Sequence, residues 1–232
     1  MPKPHTTTEL CRFYNDDDTT EIGIDEAGRG PLFGRVYTAA VVLPKDDSFD
    51  HSMMKDSKKF HSTRKINEAA DYIKANARFW SVTWSDETTI DSINIRQATL
   101  KSMHSAIRKI RDQDKSGKTL LLVDGNDFKA YSVFDDEQQC QVQIPHICIE
   151  GGDNKYSTIA AASILAKTER DKYISELCDK FPALNSIYSI GSNKGYGTAK
   201  HLEAIRNSGI TPWHRRSYGI CKTAETNDGI EN

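Results

Sequence analysis

The chain has 232 residues, with 31 Lys and Arg against 33 Asp and Glu, for a formal net charge of −2. That length fits one domain with an appendage, and the apolar residues nowhere form the run of about eighteen that a membrane helix needs. The balance also excludes coating of nucleic acid by bulk charge, while leaving room for a local basic strip.

The N-terminal MPKPHTTTEL shows no basic segment followed by an apolar core, so neither export nor a membrane partner is expected. Five cysteines, Cys11, Cys140, Cys148, Cys178 and Cys221, are odd in number and never form a CxxC pair. They suit neither a disulfide framework nor a zinc site and point to a reducing, cytoplasmic setting. Residues 1–20 are polar with an acidic NDDD run, and residues 223–232 (TAETNDGIEN) have little to bury. Both ends are expected to be loose. Residues 21–185 are expected to form the core, and 186–222 a C-terminal segment.

Along the core, Glu21 to Asp25 (EIGID) alternates and Val36 to Leu43 (VYTAAVVL) is an apolar run. They predict two strands joined by a glycine-rich turn. Arg78 to Trp84 (RFWSVTW) predicts a third, the three making an antiparallel meander. From Asn94 to Arg111, Leu100, Met103, Ile107 and Ile110 recur at helical spacing, predicting an amphipathic helix. Leu120 to Val123 (LLLV) is apolar on both faces, as in a central strand covered by helices, and ends at Asp124. His146 to Ile149 predicts a fifth strand, and Ser157 to Lys180 a helix whose AAAS run allows close packing on the sheet. Strands followed by alternating strands and helices predict an α/β fold with a mixed sheet and helical layers.

Three places set carboxylates beside apolar strand sequence: Asp25 and Glu26 in IDEAGRG, Asp124 in VDGN, and Asp153 in EGGDNKY. Any one alone reads as a solvated turn or cap. Together they read differently, because an ionised carboxylate there is costly unless it is paired or bound to a cation. No lysine is obviously interleaved, so converging acids would call for a divalent ion, and an all-oxygen set suits Mg²⁺ or Mn²⁺. Two such ions would suit hydrolysis of a phosphodiester. Gly28-Arg29-Gly30 follows directly. It serves equally as a tight turn or as backbone able to approach a ribose 2′-hydroxyl.

The blocks IGIDEAGRGPLFGRV, DSKKF, IDSINIRQATL, LLVDGN, GGDNKYSTIAAASILAKTERD, NKGYGTAKH and TPWHRRSY occur in this order between Glu21 and Tyr218. In them the chain resembles the type 2 ribonucleases H, the ribonuclease HII family. The DEAGRG block separates it from the type 3 branch of the same fold. The resemblance implies a ribonuclease H-like core with a mixed five-stranded sheet flanked by helices, plus a C-terminal helical segment that binds substrate. It implies an endonuclease acting on the RNA strand of RNA–DNA hybrids and on the 5′ side of single ribonucleotides in duplex DNA. The products would carry 5′-phosphate and 3′-hydroxyl ends, and the roles would be ribonucleotide removal and primer clearance.

Carried over position by position, the catalytic and metal-binding acids would be Asp25, Glu26, Asp124 and Asp153, holding two Mg²⁺ or Mn²⁺ ions. Asp171 would lie outside the site, paired with Arg170 or Lys172. Gly28, Arg29 and Gly30 would read the 2′-hydroxyl, with Tyr196 of KGYGT stacked on the neighbouring sugar. Ser57, Lys58 and Lys59 become candidates for phosphate contact, as do His214, Arg215 and Arg216 with Lys194 and Lys200. Asn94 and Gln97 serve equally as a helix cap or a substrate contact. The tail shows no Gln-x-x-aliphatic-x-x-aromatic-aromatic pattern, so no sliding-clamp partner is expected, and a monomer is the default. The alternative is a catalytically silent module that binds hybrid duplexes, against which the full set of four acids argues.

Overall fold

The computed structural model describes residues 9–114, 117–135 and 138–230. In chain order the strands are β1 (Thr20–Ala27), β2 (Val36–Val42), β3 (Phe79–Ser85), β4 (Thr119–Asp124), β5 (Ser132–Asp135), β6 (Cys140–Gln143) and β7 (His146–Ile149). Five of them form a mixed sheet in the order β3-β2-β1-β4-β7. The strands predicted from EIGID, VYTAAVVL, RFWSVTW, LLLV and HICI are all present, and the first three are neighbours in sequence order.

β1 pairs in parallel with β4, Ile24 beside Val123, and β4 pairs in parallel with β7, Asp124 beside Ile149. One residue past the Ile24–Val123 pair come Asp25 and Asp124, at the carboxyl ends of adjacent parallel strands. This is where open α/β sheets place their ligands. β4 is buried from Thr119 to Val123, as its uninterrupted apolar sequence requires.

Among the described residues the α-helices are α1 (Thr63–Asn76), α2 (Glu87–Arg111), α3 (Ser157–Lys180), α4 (Pro182–Ser186), α5 (Ile190–Asn193) and α6 (Ala199–Ser208). α2 begins earlier than its periodicity suggested and breaks at Asn94, whose φ of 64° and ψ of 162° are not helical. The Asn94 Oδ1 accepts from the Gln97 N–H at 3.1 Å. Asn94 thus caps the second half of the helix. α1 was not anticipated, although Ile66, Ala69, Ala70 and Ile73 are buried at helical spacing behind a Ser62 cap. Among the described residues no helix is long and apolar enough to cross a membrane.

Two compact units divide the chain, one made of the residues up to Asp25, Ala40–Ser81 and Lys109–Ile164, the other of Glu26–Ala39, Val82–Arg108 and the residues from Leu165 onward. In the first, Leu120, Leu122 and Ile159 pack together with Ile147, Ile149 and Tyr156 around them. Here α3 lies directly on β1. A Cβ at Gly23 would stand 2.3 Å from the Thr158 carbonyl carbon, so only glycine admits this approach. In the second unit Phe33, Ile174, Leu184, Tyr188 and Ile205 form the core with Trp213 and Phe181 against it.

The polar ends take part in these units over their described residues. Cys11 exchanges backbone hydrogen bonds with Lys155 and Ser157 at 2.8 and 2.9 Å, and the N–H groups of Tyr14 and Asn15 donate to the Glu21 carboxylate. Toward the other end, Ile210 and Asn227 bond around Glu225 and Thr226, and Ile230 joins the core of the second unit. A single buried isoleucine suffices where the surrounding composition is polar. The first eight residues lie outside the described ones.

Candidate functional site

In the first unit Asp25, Asp124 and Asp153 come from β1, β4 and the GGD turn after β7. Asp25 is 5% exposed and Asp153 4%. The Asp124 carboxylate accepts from the Gly152 N–H at 2.7 Å, which ties the end of β4 to the GGD turn. A Cβ at Gly152 would stand 2.6 Å from Ile159 Cδ1, so this glycine is needed for the approach. Asp153 accepts from Asn154 Nδ2 at 3.0 Å, and the same amide reaches Asp56 at 3.2 Å.

Asp56, the first residue of DSKKF, is a fourth carboxylate in this group and was not singled out in the sequence. It is buried, and its Oδ1 accepts from the Lys58 N–H at 2.9 Å. Burial lifts the Asp153 carboxyl above the ordinary carboxylate range, and the charges of Asp56 and Asp124 lift it further against Lys58 and Asn154. For Asp56, burial is outweighed by the hydrogen bonds it receives from Lys58 and Asn154, which hold it low. Asp153 is therefore the acid driven toward its neutral form.

The positive charge facing this group is Lys58, whose Nζ lies 3.8 Å from Asp153 on a side chain 82% exposed. Burial alone would lower this ammonium, but Asp153, Asp56, Asp25 and Asp124 together hold it above its usual value. Lys59 bonds to Asn154 Oδ1. Ser57 is buried, with its hydroxyl 3.1 Å from that of Ser163, so within DSKK the two lysines, not the serine, keep outward-facing groups. Among the described residues no three Asp, Glu, His or Cys side chains close into a ready-made metal cage.

The second unit holds Glu26 and the glycine-rich turn. Glu26 pairs with Arg29 at 3.3 Å. Two arginines, Arg170 expected as a partner of Asp171 and Arg215 expected as a phosphate contact, build the turn instead. Arg215 is fully buried and donates to the carbonyls of Gly28, Arg29, Pro31 and Gly34 at 2.6 to 2.9 Å. Arg170, buried on α3, donates to the carbonyls of Phe33, Arg35 and Lys194. A Cβ at Gly28, whose φ is +91°, would stand 2.1 Å from Arg170 Nε. Burial, helped by the neighbouring Arg215 charge, pulls Arg170 down to about 10, so it remains charged at neutral pH.

Tyr196 stands against this turn, its ring Cε1 3.5 Å from where a Gly30 Cβ would lie, and is 48% exposed. Its loop is fastened by the Leu32 N–H donating to Gly195 O at 2.9 Å. His214 and Arg215 are buried, which corrects the expectation that HRR forms an exposed basic strip; of the three only Arg216 is exposed. Asp171 pairs with Lys167 at 2.6 Å, not with Arg170, which is turned inward, or with Lys172, which meets Glu176. Nothing in an Arg's immediate sequence distinguishes a buried carbonyl clamp from a phosphate ligand, which is why both arginines escaped the sequence reading.

Comparison with known proteins gives concordant results. The profile described as Ribonuclease HII matches residues 22–221. Ribonuclease HII of Phocaeicola vulgatus is 41% identical over 210 residues, covering 90% of this chain and 94% of that protein. Among solved structures, ribonuclease H2 from Pyrococcus horikoshii OT3 superposes with a TM-score of 0.66 at 21% identity, covering 88% of this chain and 96% of that one. The PCNA:RNase HII complex from Archaeoglobus fulgidus matches with a TM-score of 0.63 at 24% identity, covering 87% and 96%. At those identities the two structures establish the fold.

Proposed function

The chain belongs to the ribonuclease HII family and is a ribonuclease H acting on RNA–DNA hybrids, and we propose that it also cuts on the 5′ side of single ribonucleotides embedded in duplex DNA. In this reading Asp25, Glu26, Asp124 and Asp153 hold divalent cations, Mg²⁺ or Mn²⁺, two per site. The donor set supports the fit. It is all oxygen, and its most deeply buried acid, Asp153, lies above the ordinary carboxylate range while the ammonium paired with it, Lys58, is exposed. A cation satisfies such a group. The open arrangement suits an ion that keeps part of its water shell and takes further oxygens from a substrate phosphate. When bound, such ions neutralise charge at the scissile phosphate and lower the pKa of a water.

The chain's own residues do the rest. Asp25 and Asp124, at the ends of adjacent strands, fix the principal ligands, and the Gly152 N–H orients the Asp124 carboxylate. Lys58 and Lys59 meet backbone phosphates as the substrate strand arrives, from the loop that Ser57 anchors internally.

The observation that carries the finer reading is the clamped turn. With the carbonyls of Gly28, Arg29 and Pro31 already accepting from Arg215, the N–H groups are what the turn offers a ligand. A ribose 2′-hydroxyl can accept from them, and deoxyribose has nothing there. Tyr196 beside Gly30 supplies a ring for the adjacent sugar, and Arg29 a charge for its phosphate. The biological role follows as ribonucleotide removal and primer clearance in the cytoplasm, by a monomer without clamp tethering.

The test is cleavage of an end-labelled DNA duplex containing one ribonucleotide, beside an all-DNA duplex and a full hybrid, with Mg²⁺, Mn²⁺ or chelator. The expected result is a cation-dependent cut 5′ to the ribonucleotide. Cleavage of the hybrid alone would overturn the junction-reading role of Gly28, Arg29, Gly30 and Tyr196. Binding without cleavage of any substrate would favour a silent module.

A further inference from the structure

Two buried histidines in the second unit have no part in the reading above. His201 on α6 and His214 on the following loop are both enclosed, and their Nε2 atoms lie 3.0 Å apart. The remaining nitrogen of each meets a backbone group, and His214 Nδ1 also lies 2.8 Å from the Thr211 hydroxyl. His201 Nδ1 lies 2.9 Å from the Tyr196 carbonyl, which can only accept, so that nitrogen carries a proton. His214 Nδ1 receives the Thr211 N–H at 2.9 Å, which can only donate, so that nitrogen is bare. The His214 proton then sits on Nε2 and is donated to the bare Nε2 of His201. One arrangement alone satisfies every contact: Thr211 N–H to His214, His214 to His201, His201 to the Tyr196 carbonyl.

A proton added to His201 would set N–H against N–H between the rings, and one added to His214 Nδ1 would displace the Thr211 N–H and leave the Thr211 hydroxyl to accept it. Among the described residues in contact with the pair, no carboxylate supports such a charge. Against the pair stand the rings of Tyr188 and Phe33, and Trp213 precedes His214 in the chain. The Tyr188 hydroxyl is turned to the carbonyls of Ser208 and Gly209. The neighbouring guanidinium of Arg215 is committed to the glycine-rich turn, and no carboxylate takes part in the chain of contacts. Burial pushes both imidazoles down, His214 to about 3.

We propose that His201 and His214 are positioning residues for Tyr196, a one-way hydrogen-bond relay that fixes the Tyr196 carbonyl and so holds its ring beside Gly30 for ribonucleotide recognition. The inference rests on the reading of Tyr196 as a substrate contact. It explains why two imidazoles are kept neutral in an enclosed pocket: recognition then stays unchanged over the pH range in which free histidines titrate.

The test joins a spectrum with kinetics. Long-range ¹H–¹⁵N spectra of histidine-labelled wild-type protein should show His201 as the Nδ1–H tautomer and His214 as the Nε2–H tautomer, both neutral at pH 6. A cationic ring or the reverse tautomers at that pH would overturn the relay without need of any variant. His201→Leu should raise KM for the single-ribonucleotide duplex about tenfold while kcat on the full hybrid stays within about twofold. His201→Asn, which keeps a donor near the Nδ1 position, should recover most of the loss. Parallel loss on both substrates in both variants, tracking Tm, would reduce the pair to structural filling and overturn the proposal. Tyr196→Ala in the same assay separates the two ideas. If it is selective for the junction and His201→Leu is not, the relay fails alone; if it is not selective, the Tyr196 reading fails and takes the inference with it.

Discussion

The acidic group of the first unit and the glycine-rich turn of the second are opposite solutions to the same difficulty, burying charge. In the acidic group burial and the neighbouring carboxylates push Asp153 toward its neutral form, and the ammonium paired with it, Lys58, is 82% exposed. The turn is fully supplied: its carbonyls are satisfied by two buried guanidiniums, and Gly28 and Gly195 leave no room for a side chain. A buried acid lifted in this way suits the proposed cation site. Rigid prior satisfaction suits a part that must discriminate one hydroxyl, because a loose turn would fit either sugar.

This contrast can be broken from its largest effect downward. Asp25→Asn or Asp124→Asn removes a proposed cation ligand and should lower single-turnover cleavage by about three orders of magnitude, roughly 4 kcal/mol, with duplex affinity measured by anisotropy little changed. Near-normal turnover in either variant would remove that residue from the site. Arg215→Ala takes its donor from the carbonyls of Gly28, Pro31 and Gly34, leaves that of Arg29 with the Tyr218 hydroxyl alone, and opens a cavity, so chemical denaturation should show a loss of about 3 kcal/mol or more. A loss under about 1 kcal/mol would mean that the turn holds its shape unaided.

Tyr196→Ala, at a half-exposed position, should change stability by less than about 0.5 kcal/mol. It should nevertheless weaken junction cleavage by the worth of one stacking contact, about 1–3 kcal/mol. Equal effects on junction and hybrid would make the ring a general contact. The smallest effect expected is from Lys58→Ala: a drop of about one in the slope of log affinity against log salt, uniform across sequences. An unchanged slope would place Lys58 with the acids only.

Much of this was legible in the sequence, for identifiable reasons. The sheet strands announced themselves because β4 is buried on both faces and β1 alternates, and α3 because small residues open it before a bulkier apolar stripe. The hairpin of β5 and β6 did not, since SVFD and CQVQ are half-exposed and have no core to give them an alternation. α1 was missed because two alanines and two isoleucines make a thin stripe. The four acids were singled out through their setting beside apolar strands and through family resemblance. Asp56, Arg170, Arg215 and the histidine pair were not, because their roles depend on partners distant in sequence, such as Arg215 and the Gly28 carbonyl 187 residues away.

The measurement that bears most directly on the acidic group is thermal melting with and without Mn²⁺, in the absence of nucleic acid, for wild type and Asp153→Asn. A carboxyl whose folded pKa is raised costs stability as pH rises through that value, because its ionised form is disfavoured only in the folded state. The account therefore predicts that metal-free Asp153→Asn melts above wild type at neutral pH and that this gain shrinks toward acid pH. It also predicts that Mn²⁺ raises the melting temperature of wild type more than that of the variant. A variant that melts lower than wild type at neutral pH, or a wild type indifferent to Mn²⁺, would contradict it.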